Sequence, residues 1–223
     1  MADGEPSALP KFPNLLTRDA YLAWFQSIKP PSCNRFHLLN NSLVMAKESS
    51  PSWAEVQIVG EICEDSSMDY QQGLDRLNDH GQMTFGSQPT RRFLRGLYIR
   101  LPSNTLELWV FDRAGQFLSE SLDIHKEPDR FVSMMNSFLT LNDEELGMDT
   151  FIQHDVLGKY ILLNKGKDTE EERIYLGSEP IHRRRGIMCR GTPASYRAKR
   201  PGSERRDLVV KFVWRLENTL PTK

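Results

Sequence analysis

The chain has 223 residues, 39% of them apolar and 26% charged, with a formal net charge of −1. That is enough for one large domain or one and a half, with a sizeable core. No stretch reaches the roughly 18 consecutive apolar residues that a membrane span needs, and the opening MADGEPSALPKF lacks the basic region and apolar core of a secretory signal.

Pro10, Pro13, Pro30 and Pro31 predict a partly extended N-terminus. Thr17 reads as the N-cap of a helix over 18–28. Asp19 falls in its first turn, and Tyr21, Leu22, Trp24, Phe25 and Ile28 recur at helical spacing. Pro30 and Pro31 stop it. Residues 49–51 read as loop. Residues 53–63 read as a strand, with Val56, Ile58 and Gly60 alternating against Gln57, Val59 and Glu61. After the acidic EDSSMD, residues 70–77 read as helix, and Gly81 and Gly86 weigh against a longer one. Residues 93–101 and 105–113 read as strands joined by Pro102, Ser103 and Asn104, hairpin partners with at least one buried face. The strongest helix spans 129–141. Pro128 is at its start, and its stripe of Phe131, Val132, Met135, Phe138 and Leu139 is core packing. Residues 151–156 fit no single template. Residues 160–163 and 173–176 read as strands around a polar turn, followed by strands over 186–190, 195–199 and 208–214. No internal repeat is evident. The order of elements predicts an α/β or α+β region to about residue 150 and an antiparallel β segment after it.

Charge is unevenly spread. Residues 120–149 hold eight acidic and two basic side chains, while residues 183–215 hold eleven Lys or Arg against Glu204 and Asp207. The basic stretch reads as a solvated hairpin surface, or as a contact for an anionic ligand or nucleic acid. The three cysteines, Cys33, Cys63 and Cys189, form neither a CxxC pair nor a disulfide framework, which points to an intracellular protein.

Three constellations could carry chemistry. Glu55 with Glu61-Ile62-Cys63 is reminiscent of the acidic strand of restriction-endonuclease-like nucleases, where two carboxylates hold a divalent metal and a lysine orients water. Cys63 stands at the lysine position, and a neutral thiol supplies neither the charge nor a ligand suited to Mg²⁺. Gln88, Arg91 and Arg92 precede a strand, and the two adjacent arginines read as a phosphate contact or as helix-end surface charge. The third is the run RGTPASYRA followed by LVVKFVW. A small-residue turn lets backbone approach phosphates closely, and a strand-borne lysine aims an ammonium at them. One lysine in an apolar strand is also what a snorkelling edge lysine looks like. The histidines His37, His80, His125, His154 and His182 are scattered and form no metal-ligand spacing.

Taken together, the landmarks resemble those of the fungal-type protein kinases. They are Trp53, Glu55 and Glu61; Gln88 and Arg91; Asp112-Arg113-Ala114-Gly115; Glu145 to Thr150; Arg190-Gly191-Thr192; and Val209 to Trp214 around Lys211. The resemblance covers about residues 20–215, with the landmarks in order. It implies a mixed sheet with flanking helices, like a restriction-endonuclease-like core, before an antiparallel β segment like the start of a kinase N-lobe. It divides the chain into a helix and linker over 1–52, a family-specific α/β region over 53–158 and a lobe-like region over 159–223. It implies ATP and Mg²⁺ as cofactors and Ser/Thr of a protein as substrate, with Arg190, Gly191 and Thr192 in the phosphate loop and Lys211 on the α/β-phosphates. The catalytic-loop and metal-binding aspartates of a kinase are not matched within these residues, which predicts a truncated and inactive isolated chain. Glu55 and Glu61 remain the only metal candidates. The alternative expectation is a non-enzymatic α/β module binding nucleic acid through its basic C-terminal third. Self-association through an exposed edge strand is a further expectation.

Overall fold

The computed structural model describes residues 17–28, 34–39, 42–64, 69–101, 103–164, 171–189 and 191–214. Thr17 caps α1 (Arg18–Ser27), its hydroxyl accepting from the Ala20 amide at 3.2 Å. There follow β1 (Arg35–Leu39), β2 (Ser42–Ala46), β3 (Ile58–Cys63), α2 (Tyr70–Ser87), β4 (Phe93–Arg100), β5 (Thr105–Asp112), β6 (Gln116–Asp123) and α3 (Pro128–Thr140). The six strands form one sheet in sequence order, β1-β2-β3-β4-β5-β6. Only the β3–β4 pair is parallel, because α2 carries the chain back across the sheet between them.

This sheet is covered on both faces, which explains why β3 is buried along its whole length. On one face α1 and α3 pack Tyr21, Phe25, Phe131 and Met135 onto Met45, Ile58, Leu97 and Ile99. On the other, Leu74, Leu77 and Phe85 of α2 pack onto Val59, Leu94, Tyr98 and Phe111. Helix α2 lies so close that a Cβ on Gly73 would stand 2.0 Å from the Tyr98 hydroxyl. The helix also runs on through Gly81 and Gly86, which argued against its length, to reach 18 residues.

A second, antiparallel sheet follows: β7 (Gln153–Asp155), β8 (Gly158–Asn164), β9 (Glu171–Arg183), β10 (Gly191–Lys199) and β11 (Leu208–Trp214), in the order β11-β10-β9-β8-β7. One face holds its core of Ile161, Ile174, Leu176, Ala194, Tyr196 and Ala198, with Leu208, Val210 and Phe212 against it.

The structure corrects several expectations. Residues 53–57 precede β3 as a turn and coil instead of extending it. Residues 186–189 are loop, not strand, and β9 runs on to Arg183. Strands β1, β2 and β6 carried no recognisable period: β2 is buried at every position, and β1 and β6 are the two edges of the sheet. Among the described residues no helix is long and apolar enough to cross a membrane.

Candidate functional site

Strict alternation decides where the strand lysine goes. Leu208, Val210 and Phe212 turn into the core of the second sheet, so Lys211 leaves from the opposite face with Val209 and Val213, and all three of these are exposed. Ser195 stands opposite Lys211 on β10, and His182 stands opposite Ser195 on β9. Among the described residues Lys211 makes no ion pair. Gly191 opens β10 with a positive φ of 98°, a conformation that favours glycine, and nothing lies within 4 Å of where its side chain would begin. Thr192 follows it, half-buried, where the β10–β11 register shifts between Gly191 and Ala194. Arg190 lies outside the described residues. Lys211 and Gly191 therefore occupy different positions on one hairpin, with backbone free at the glycine and an ammonium free on the open face.

The loop between β9 and β10 is not free. Its base is closed by the Arg184 amide donating to the Pro193 carbonyl at 2.9 Å. Its tip sits on the first sheet's unit: Ile187 packs into the cluster under α2, beside Gly81, and Cys189 is buried. The Cys189 amide donates to the Arg113 carbonyl at 3.0 Å, and Arg113 Nη1 donates back to the Gly186 carbonyl at 3.1 Å. Arg113 itself is 1% exposed. Its Nη2 donates to the Pro89 carbonyl at 2.7 Å, and its guanidinium lies 4.3 Å above the Phe85 ring. Burial pushes its pKa down to about 10, so it remains a cation at neutral pH. Sequence reasoning missed this junction. Arg113 follows an apolar strand and precedes a turn, and nothing local marks an arginine in that place as buried.

The other landmark residues are structural ties. Arg91 is 2% exposed and donates to the carbonyls of Phe93, Val56, Gln57 and Leu146 at 2.5 to 2.8 Å. Gln88 donates to the carbonyls of Trp53 and Val56. Neither has a group left for phosphate. Burial pushes Arg91 down to about 9. Asp112 Oδ1 accepts from the Ala114 and Gly115 amides at 2.7 and 2.9 Å, which makes the β5–β6 turn. Asn142 and Glu145 exchange side-chain-to-backbone bonds at 2.9 and 3.0 Å, a capping box that presents the Leu146 carbonyl to Arg91.

Glu55 and Glu61 do not form a pair. Glu55 lies in the turn before β3, where the Ser52 hydroxyl and amide, both at 2.6 Å, hold its carboxyl below the usual carboxylate range. Glu61 faces α2, 3.6 Å from Arg76, and burial pushes its carboxyl up. Among the described residues no group of three or more His, Cys, Asp or Glu could hold a metal ion.

A cleft of about 910 Å³ separates the first sheet's unit from the second sheet. Tyr196 lines it from the side of the second sheet's core, away from Lys211. Glu48, Glu55, Asp143, Asp149 and Glu179 line it too, against Lys47, Lys159, Arg183 and the fully committed Arg91. This balance disfavours a polyphosphate there. The basic stretch is not one patch either. Arg183 stands opposite Ala194 and Arg184 bonds to Pro193 near the start of β10, whereas Arg200 follows its last residue, six residues and about 20 Å beyond Ala194.

A family model described as fungal protein kinase matches residues 36–220, most of the chain. No curated protein and no solved structure matches.

Proposed function

The chain belongs to the fungal protein kinase family, and from that premise we propose that β9, β10 and β11 form the nucleotide-holding part of a kinase site. The reading rests chiefly on Lys211, whose ammonium leaves the open face of a strand whose other face is packed. A rigid strand fixes the stem, and an exposed ammonium binds a phosphate at little desolvation cost. The Gly191 backbone is open enough to approach a phosphate, and Thr192 follows it. Arg190 completes the loop by family likeness. ATP, when bound, supplies the phosphoryl group that the family transfers to a protein side chain. Lys211 would bind and orient the α/β-phosphates. Among the described residues no group of three or more His, Cys, Asp or Glu side chains offers a site for Mg²⁺. The 223 residues supply the lysine but none of the matched catalytic-loop or metal-binding aspartates, so turnover by them alone is not expected. Strand β11 is also the outermost strand of its sheet among the described residues, with Val209 and Val213 exposed. That edge supports concentration-dependent self-association, readable by size-exclusion chromatography.

The test is titration of the chain with a fluorescent ATP analogue, with Lys211→Met as the comparison. Saturable binding weakened at least tenfold by the substitution, with unchanged thermal stability, is expected. Equal binding by both chains overturns the assignment of Lys211, and phosphorylation of a generic protein by the purified chain overturns the expectation of no turnover.

A further inference from the structure

We propose that the first sheet's unit is a latch on the β9–β10 loop: Arg113 and the seat of Ile187 hold residues 184–189 on the side of the sheet away from Lys211, and tight nucleotide binding requires their release. The inference rests on the nucleotide reading above and adds a regulatory contact to that site.

Two faces set the geometry. Tyr196 belongs to the packed face of the second sheet and lines the cleft toward the first unit, so that unit lies on the packed side. Lys211 leaves from the opposite face. A loop that is to close over phosphates held by Lys211 must lie toward the lysine face. The structure instead has it tied to the other side by the Arg113–Gly186 and Cys189–Arg113 hydrogen bonds and by Ile187 in the cluster under α2.

The latch is built to open. Of the two Arg113 guanidinium bonds, the one to Pro89 within the first unit is 2.7 Å, and the one to the loop is 3.1 Å. Arg113 Nε is buried with no hydrogen-bond partner. Release of the loop therefore leaves the tighter anchor, and the stack on Phe85, in place. Met188, beside the buried Cys189, is 72% exposed, so the loop is seated through a few contacts and not along its whole length. A ligand that favours the released state gains affinity when the seated state is weakened, because the seated fraction no longer competes with it.

The experiment uses the 223-residue chain, a fluorescent Mg²⁺·ATP analogue and amide hydrogen exchange. Two substitutions release the loop by different routes: Arg113→Met removes the guanidinium bond, and Ile187→Ser empties the seat without touching the core arginine. Both are expected to speed exchange of the Cys189 amide and to tighten analogue binding about three- to tenfold. The gain should be lost when either is combined with Lys211→Met. If Arg113→Met does not fold, Ile187→Ser alone decides. Faster exchange with unchanged or weaker binding overturns the latch and leaves the nucleotide site standing. Unaltered exchange in Ile187→Ser overturns the seat itself. No analogue binding by any of the chains overturns the nucleotide site, and the latch's role falls with it.

Discussion

Arg91 Nη1 donates to Gln88 Oε1 at 2.7 Å, so the two ends of the Q-x-x-R pattern are bonded to each other inside the protein. Arg91, which with the adjacent Arg92 reads in sequence as a phosphate contact or as surface charge, is one half of a staple. It joins the turn before β3, the start of β4 and the loop after α3 through carbonyls that have few alternatives.

Arg91→Met is expected to destabilise the fold by about 3–5 kcal/mol, because it removes the guanidinium from the buried Gln57 and Leu146 carbonyls and leaves the Val56 carbonyl to Gln88 alone. Arg91→Lys should recover only part of this, since an ammonium cannot span the same fork. Urea unfolding of the three chains measures both. A loss under 1 kcal/mol for Arg91→Met would mean that water replaces the guanidinium.

Gly73→Ala sets two effects against each other. Helix propensity favours alanine by about 1 kcal/mol, but the new Cβ would stand 2.0 Å from the Tyr98 hydroxyl and 2.7 Å from the ring carbon that carries it. Overpacking of this kind costs about 1–3 kcal/mol or more, so the melting temperature should fall. Gly86→Ala is the control. Its nearest neighbour is Arg185 at 3.6 Å, an ordinary contact, and the substitution should be neutral or stabilising.

Glu61 gives a pH dependence with a definite sign. Burial raises its folded pKa above the ordinary value of 4.5, against the pull of Arg76 and Arg18. The folded chain then holds this proton more tightly than the unfolded chain, so the ionised carboxylate costs stability at neutral pH. The cost fades as the pH falls through the raised value toward 4.5. Glu61→Gln should therefore raise the melting temperature at pH 7.5, with the difference closing near pH 4.5. Arg76 is more than half exposed, and losing its partner 3.6 Å away should matter little. A substitution that destabilises at pH 7.5 would show that the Arg76 pair outweighs burial.

Lys211→Met should leave stability within about 0.5 kcal/mol of the parent chain, because the side chain is exposed and packs on nothing in the core. A larger loss, read by thermal melting, would move Lys211 from a ligand-facing role to a structural one.

The amino-acid sequence by itself determined the elements whose periods are local. Thr17 and the stripe after it mark α1. Pro128 and the Phe131–Leu139 stripe mark α3. The alternation of residues 208–214 marks β11 and, with it, the outward face of Lys211. It also carried the family, because the landmarks stand in order. Tertiary structure alone decided what those landmarks do. Strand β2 has no alternation to read, since both faces of its sheet are covered. The length of α2 could not be read past Gly81 and Gly86, which are costly in an isolated helix; packing of Leu77 and Phe85 on the sheet carries the helix through them. Gln88, Arg91 and Arg113 are polar in sequence and buried in the fold, because their partners are carbonyls contributed by segments up to 73 residues away. Burial, register and the carbonyls that an arginine can reach are set by which surfaces meet. No window of neighbouring residues contains that information.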